Sequence, residues 1–103
     1  MNELTKVRIF FRDESVPEII LPLSDEGNGL YSLGFEQEVK LPNEEIIKVY
    51  AEVRPNEKPV DITITVIHGD RELDIRCGAG VIVSYQTIEG IDVLIQIGTG
   101  AWE

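Results

Sequence analysis

Alternation with period two recurs along almost the whole chain, and it restricts the fold more than any other feature of the sequence. Val7, Ile9 and Phe11 alternate with Arg8, Phe10 and Arg12, and Phe35, Gln37, Val39 and Leu41 alternate with Glu36, Glu38 and Lys40. Ile62, Ile64 and Val66 alternate with threonines, and Leu73, Ile75 and Cys77 with Glu72, Asp74 and Arg76. Ile91, Val93, Ile95 and Ile97 alternate with Asp92, Leu94 and Gln96. Residues two apart share one face of a strand, and these runs are rich in β-branched side chains, so they read as half-buried β-strands. Val16 to Leu23 holds Pro17 and Pro22, which demotes it to an edge strand or extended segment. Ser24 to Gly29 has the composition of a loop.

Residues 43–54 admit two readings. Asn43, Glu44 and Glu45 after Pro42 resemble a capped helix start, with Ile46, Ile47, Tyr50 and Ala51 on one helical face. Against this, Ile47, Val49, Ala51 and Val53 fall on one face of a strand, with Lys48, Tyr50, Glu52 and Arg54 on the other. Four apolar residues in a row at period two, three of them β-branched, favour the strand. Pro55 ends the element in either case.

Two hairpins can be read in register. A two-residue turn at Gly69-Asp70 sets His68 opposite Arg71 and pairs Val66 with Leu73, Ile64 with Ile75 and Ile62 with Cys77. All six fall on one face, with Thr65, Asp74, Thr63 and Arg76 on the other, which predicts that the six are buried together. The second hairpin requires the three-residue loop Ile88-Glu89-Gly90 with glycine in the left-handed position. Tyr85 then faces Val93, Val83 faces Ile95 and Val81 faces Ile97, all toward the core. A two-residue loop at Glu89-Gly90 would instead place Ser84 and Gln86 beside the core isoleucines.

Seven or eight short strands with few helix signals predict an all-β protein, a two-layer antiparallel β-sandwich or small barrel. The 103 residues match the commonest size of one domain, so residues 1–103 are read as a single sandwich domain. The cysteine pair of an immunoglobulin domain is absent, since there is one cysteine and Trp102 stands at the end of the sequence. The echo between Ile75–Gly80 and Ile95–Gly100, both I-x-x-G-x-G, is read as coincidence rather than as a repeat.

Nineteen acidic residues against nine basic ones give a formal net charge of -10. Such a surface repels nucleic acid and anionic membranes, so neither is expected as a partner. One cysteine precludes an intrachain disulfide and a cysteine-rich zinc site, and no signal-peptide pattern or spanning apolar run is present. A cytoplasmic location is the resulting expectation.

Catalytic and cofactor signatures are wanting, and no cofactor or metal is expected. The one histidine, His68, is placed at a hairpin turn beside Arg71. Cys77 lies opposite Ile62, which puts it roughly 20 Å away at ~3.3 Å per residue, too far for a nucleophilic pair. No serine has the context of a nucleophile elbow, and the glycine pairs at 78–80 and 98–100 do not open helices, as a phosphate loop must. Asp70, Glu72 and Asp74 are spaced too widely along a strand to grip one ion, and Asp25 to Gly29 departs from calcium-loop spacing.

The outward positions are more informative. Ile82, Leu94 and Ile88 point away from the core on one hairpin, predicting a contiguous apolar patch that the segment bearing Trp102 or a partner would cover. Phe10 is flanked on its face by Lys6, Arg8 and Arg12, an aromatic–basic stripe on an otherwise acidic chain. These residues are the candidate interface, and no catalytic residue is named. The expectation is a non-enzymatic protein-interaction or assembly module that pairs with a protein partner or with itself as a homodimer. The alternatives are an acidic inhibitor or nucleic-acid mimic that fills a basic groove, and a sugar-binding sandwich.

Overall fold

A computed structural model describes residues 6–98. Ten strands follow one another: β1 (Lys6–Phe11), β2 (Ile19–Pro22), β3 (Ser24–Gly27), β4 (Leu30–Ser32), β5 (Gln37–Lys40), β6 (Ile46–Arg54), β7 (Asp61–His68), β8 (Arg71–Cys77), β9 (Ile82–Gln86) and β10 (Asp92–Ile97). They form two antiparallel sheets. One is four-stranded in the order β2-β1-β10-β9; the other runs β3-β4-β6-β7-β8, with β5 paired to β6 below β4. The all-β sandwich expected from the alternation is the observed architecture. The added strands come from residues 24–32, of which Ser24 to Gly29 read from composition as a loop. This segment closes on itself as the short β3–β4 pair, with a register shift between Asp25 and Gly27.

Both hairpin registers are those read from the sequence. Ile62 pairs with Cys77, Ile64 with Ile75, Val66 with Leu73 and His68 with Arg71. Tyr85 pairs with Val93 and Val83 with Ile95. The three-residue loop is closed by the Thr87 amide donating to the Ile91 carbonyl at 3.0 Å and by the Gly90 amide donating to the Thr87 carbonyl. Gly90 has φ of +93°, which a side chain would oppose. Residues 46–54 are a strand, and Asn43 to Glu45 form the turn before it. There the Asn43 side chain accepts from the Glu45 amide, and Leu41 and Glu45 close the loop.

The inner faces of both sheets fuse into one core that holds Ile9, Ile47, Val49, Val53, Ile62, Ile64, Val93 and Ile95, each fully shielded from solvent. β8 departs from the expected burial. Leu73 is 38% exposed, and Ile75 and Cys77 are half-buried, although their pairing is as read. β8 is the last strand of its sheet, and the opposing sheet has fewer strands, so the edge strand is only partly covered. Val81, expected to face Ile97 in the core, is 47% exposed. Gly80 takes the Ile97 carbonyl in its place, and Val81 turns back to bond Gly78.

Candidate functional site

The outer face of the four-stranded sheet carries most of the candidate interface residues, but not as an open patch. Leu94 is not part of an exposed patch: it is 8% exposed. β10 is an interior strand, so Leu94 lies between Phe10 on β1 and Ser84 on β9, its paired residues. The expected contiguous patch of Ile82, Leu94 and Ile88 is therefore broken at its centre, leaving Ile82 (51% exposed) and Ile88 (85% exposed) at the two ends of the hairpin rim. Nor are the arginines of the basic stripe open. Arg8 donates to Glu18 at 2.8 Å and to the Gln96 side chain at 2.6 Å, while its guanidinium stacks 4.7 Å from the centre of the half-buried Phe10 ring. Arg12 is paired with Asp92. Both arginines thus have carboxylate partners within the chain, which the linear sequence could not show because Asp92 is distant from Arg12 along it. Trp102 lies outside the described residues.

Gln96 holds this face in place. Its Oε1 accepts from Arg8 and its Nε2 donates to the Gly80 carbonyl at 2.8 Å, linking β1, β10 and the turn into β9. That turn delivers β9 to the edge of the sheet, where among the described residues it pairs with β10 alone.

The free side of β9 is the most unusual feature among the described residues. Strand edges expose unpaired amides and carbonyls, and proteins usually guard them with charge or proline. Five strands lie at an edge: β2, β3, β5, β8 and β9. β2 ends in Pro22, β3 contains Asp25 and Glu26, β5 contains Glu38 and Lys40, and β8 contains Arg71, Glu72, Asp74 and Arg76. β9, with the sequence IVSYQ, has neither charge nor proline. The Thr87–Ile91 bond fixes which of its backbone groups are free. Antiparallel pairs alternate, so Val83 and Tyr85 direct their amides to β10, and Ile82, Ser84 and Gln86 direct theirs outward.

His68 occupies a different environment from the one expected of it. It does pair with Arg71 across the turn, but its ring lies between the sheets. Nε2 is 3.0 Å from Glu45 Oε1 and Nδ1 is 2.8 Å from the Tyr85 hydroxyl. A carboxylate can only accept, so the Nε2 that faces Glu45 carries a proton, and Nδ1 shares the second bond with the Tyr85 hydroxyl. The Arg71 guanidinium caps the Tyr85 ring at 5.1 Å. Both ring nitrogens are committed and Tyr85 is 3% exposed, so this chain of bonds acts as a clasp between the sheets. It offers no free base or ligand nitrogen to an external molecule. Sequence spacing gave no sign of it, since its three members come from a turn and two sheets.

A second polar cluster sits on the outer face of the larger sheet. The buried Ser32 hydroxyl donates to Glu26 at 2.9 Å, and the Tyr50 hydroxyl donates to Glu52 at 2.9 Å. Burial, with the nearby Glu52 and Glu26 charges, pushes the Tyr50 phenol above its ordinary value, although the Ser32 contact acts the other way. Tyr50 also lines a shallow cleft with Gly34, Phe35 and Glu36. Phe35 precedes β5 and is 71% exposed. Cys77 is half-buried, and burial raises its thiol above the ordinary value, which suppresses the reactive thiolate. Among the described residues, no group of three or more His, Cys, Asp and Glu side chains is arranged to hold a metal. No helix among them is long and apolar enough to cross a membrane.

The chain matches no family model, no curated protein and no solved structure. Its geometry is therefore the basis for a functional reading.

Proposed function

We propose that this protein is a non-catalytic assembly module, one sandwich domain over residues 1–103, that pairs through the β9 edge with a second copy of itself. The observation that supports this is the absence of charge and proline on β9 when every other edge strand has one or the other. A chain of net charge -10 repels its own copies over most of its surface. Along β9 that repulsion has no charged side chain to act through.

Two β9 strands related by a two-fold axis at Ser84 would place Ser84 opposite Ser84, and Ile82 opposite Gln86. The outward amides and carbonyls of these residues would then be satisfied reciprocally. The same operation brings Ile82 of one copy near Ile88 of the other, covering the two most exposed aliphatics of the hairpin. The expected patch thus becomes an edge: Ile82 and Ile88 keep a role, and Leu94 becomes support for the strand that presents them. The setting proposed is the cytoplasm, where a lone thiol such as Cys77 stays reduced.

The test is sedimentation equilibrium of the wild-type chain beside Ser84→Pro and Ile82→Lys. Proline at Ser84 removes an amide that faces away from β10, so the sheet itself loses no bond. A concentration-dependent dimer that both variants convert to monomer, with β circular dichroism retained, supports the reading. A wild-type chain that stays monomeric into the high micromolar range overturns it.

A further inference from the structure

Beyond assembly, and independently of it, we infer that the Phe35–Tyr50 cleft binds an arginine or lysine side chain presented by a partner protein. The cleft is an open depression of about 520 Å³ lined by Gly34, Phe35, Glu36 and Tyr50. It lies on the opposite sheet from β9, where the edges of β4 and β5 both meet β6. One wall is Gly34, whose φ of +84° disfavours a side chain. Phe35 is 71% exposed, the most exposed aromatic among the described residues, and it lines the cleft together with Tyr50.

The hydrogen-bonding inventory selects the ligand. The Ser32 hydroxyl donates to Glu26 and the Tyr50 hydroxyl to Glu52, and the Gly34 amide donates to Ser32 at 2.9 Å. These two hydroxyls and the Gly34 amide are therefore spent, and the charged group lining the cleft is the exposed Glu36 carboxylate, with Glu26 and Glu52 beside the Tyr50 hydroxyl. A sugar hydroxyl needs donors as well as acceptors, whereas a guanidinium or ammonium group has donors only. Aromatic faces attract the same groups, and the planar guanidinium stacks best. Lys48, two positions along β6 from Tyr50, stands opposite Glu38 in the strand register and does not line the cleft.

General attraction of cations to an acidic chain is the rival explanation, and a charge-neutral substitution separates the two. The probe is a short peptide alternating arginine with glycine, titrated into the ¹⁵N-labelled protein, with the citrulline version as its neutral control. Amide shifts should centre on residues 34–36 and 50, and the citrulline peptide should leave them in place. Phe35→Ala, which alters no charge and truncates a side chain already in water, should weaken binding about two- to fivefold. Glu36→Gln should weaken it and flatten its salt dependence. Shifts spread over the acidic surface, an affinity indifferent to Phe35→Ala, equal binding of the citrulline peptide, or no binding at all would each overturn the inference.

Discussion

Removing the Tyr85 hydroxyl should destabilise the fold through His68. Tyr85→Phe keeps the ring, its packing in the core and the Arg71 stacking, and deletes only the hydroxyl bonded to His68 Nδ1, 2.8 Å away. A net hydrogen bond is worth about 0.5–1.5 kcal/mol, and a buried polar group left unpaired costs about 1–3 kcal/mol. The His68 side chain is 18% exposed, so water reaches it only in part. The expected loss is about 1–1.5 kcal/mol, a sizeable share of a total of ~5–15 kcal/mol. For a domain of this size that corresponds to a fall in Tm of roughly 5–10 °C. Urea unfolding of wild type, Tyr85→Phe, His68→Leu and the double variant would measure it, with the coupling taken from the cycle. If Tyr85→Phe lies within about 0.3 kcal/mol of wild type, or the cycle is additive, the clasp contributes nothing and the reasoning fails.

Ile64→Ala, at a fully buried site on β7, should cost about 2–5 kcal/mol by lost transfer energy and the cavity left behind, read from urea midpoints. A cost below about 1 kcal/mol would mean that the core closes around the gap. Leu94→Glu should unfold the protein or lower its midpoint sharply, because an interior-strand side chain cannot take its charge to water. Ile82→Glu, half in solvent, should leave thermal stability nearly unchanged, and equal effects of the two would contradict the burial difference. Tyr50 has a phenol raised above 10.0, so its contribution to stability is complete below that pH and declines as pH rises through the folded-state value. The phenolate absorbance lost in Tyr50→Phe should accordingly appear above pH 10, and its appearance earlier would be inconsistent with the buried, carboxylate-flanked site.

The two hairpins were legible because glycine position and facial alternation constrain register together. At Gly69-Asp70 and at Ile88-Glu89-Gly90, one loop length alone keeps the apolar residues on a common face. Alternation reports which face a residue uses and not how well that face is covered. Hence Leu73 and Val81, on the inward pattern, are exposed at an edge and at a turn, while Leu94, on the outward pattern, is buried at the middle of a sheet. Strand order decides those cases, and it is a property of long-range pairing such as that of β1 with β10. The arginine pairs with Glu18 and Asp92 and the Glu45–His68–Tyr85 clasp were hidden for the same reason. The unguarded β9 had a signal that could have been used, a stretch of hydrophobic and neutral residues from Gly78 to Ile88 without a charge. Its meaning depended on knowing that β9 is at an edge.

Hydrogen exchange along β9 as a function of protein concentration tests edge pairing most directly. The amides of Val83 and Tyr85 face β10 and should be protected at every concentration. Those of Ile82, Ser84 and Gln86 face outward; they should exchange rapidly in dilute solution and become protected as concentration rises, with Ser84→Pro abolishing the gain at Ile82 and Gln86. Rapid exchange at Ile82, Ser84 and Gln86 at all concentrations would contradict pairing of β9 with a second copy.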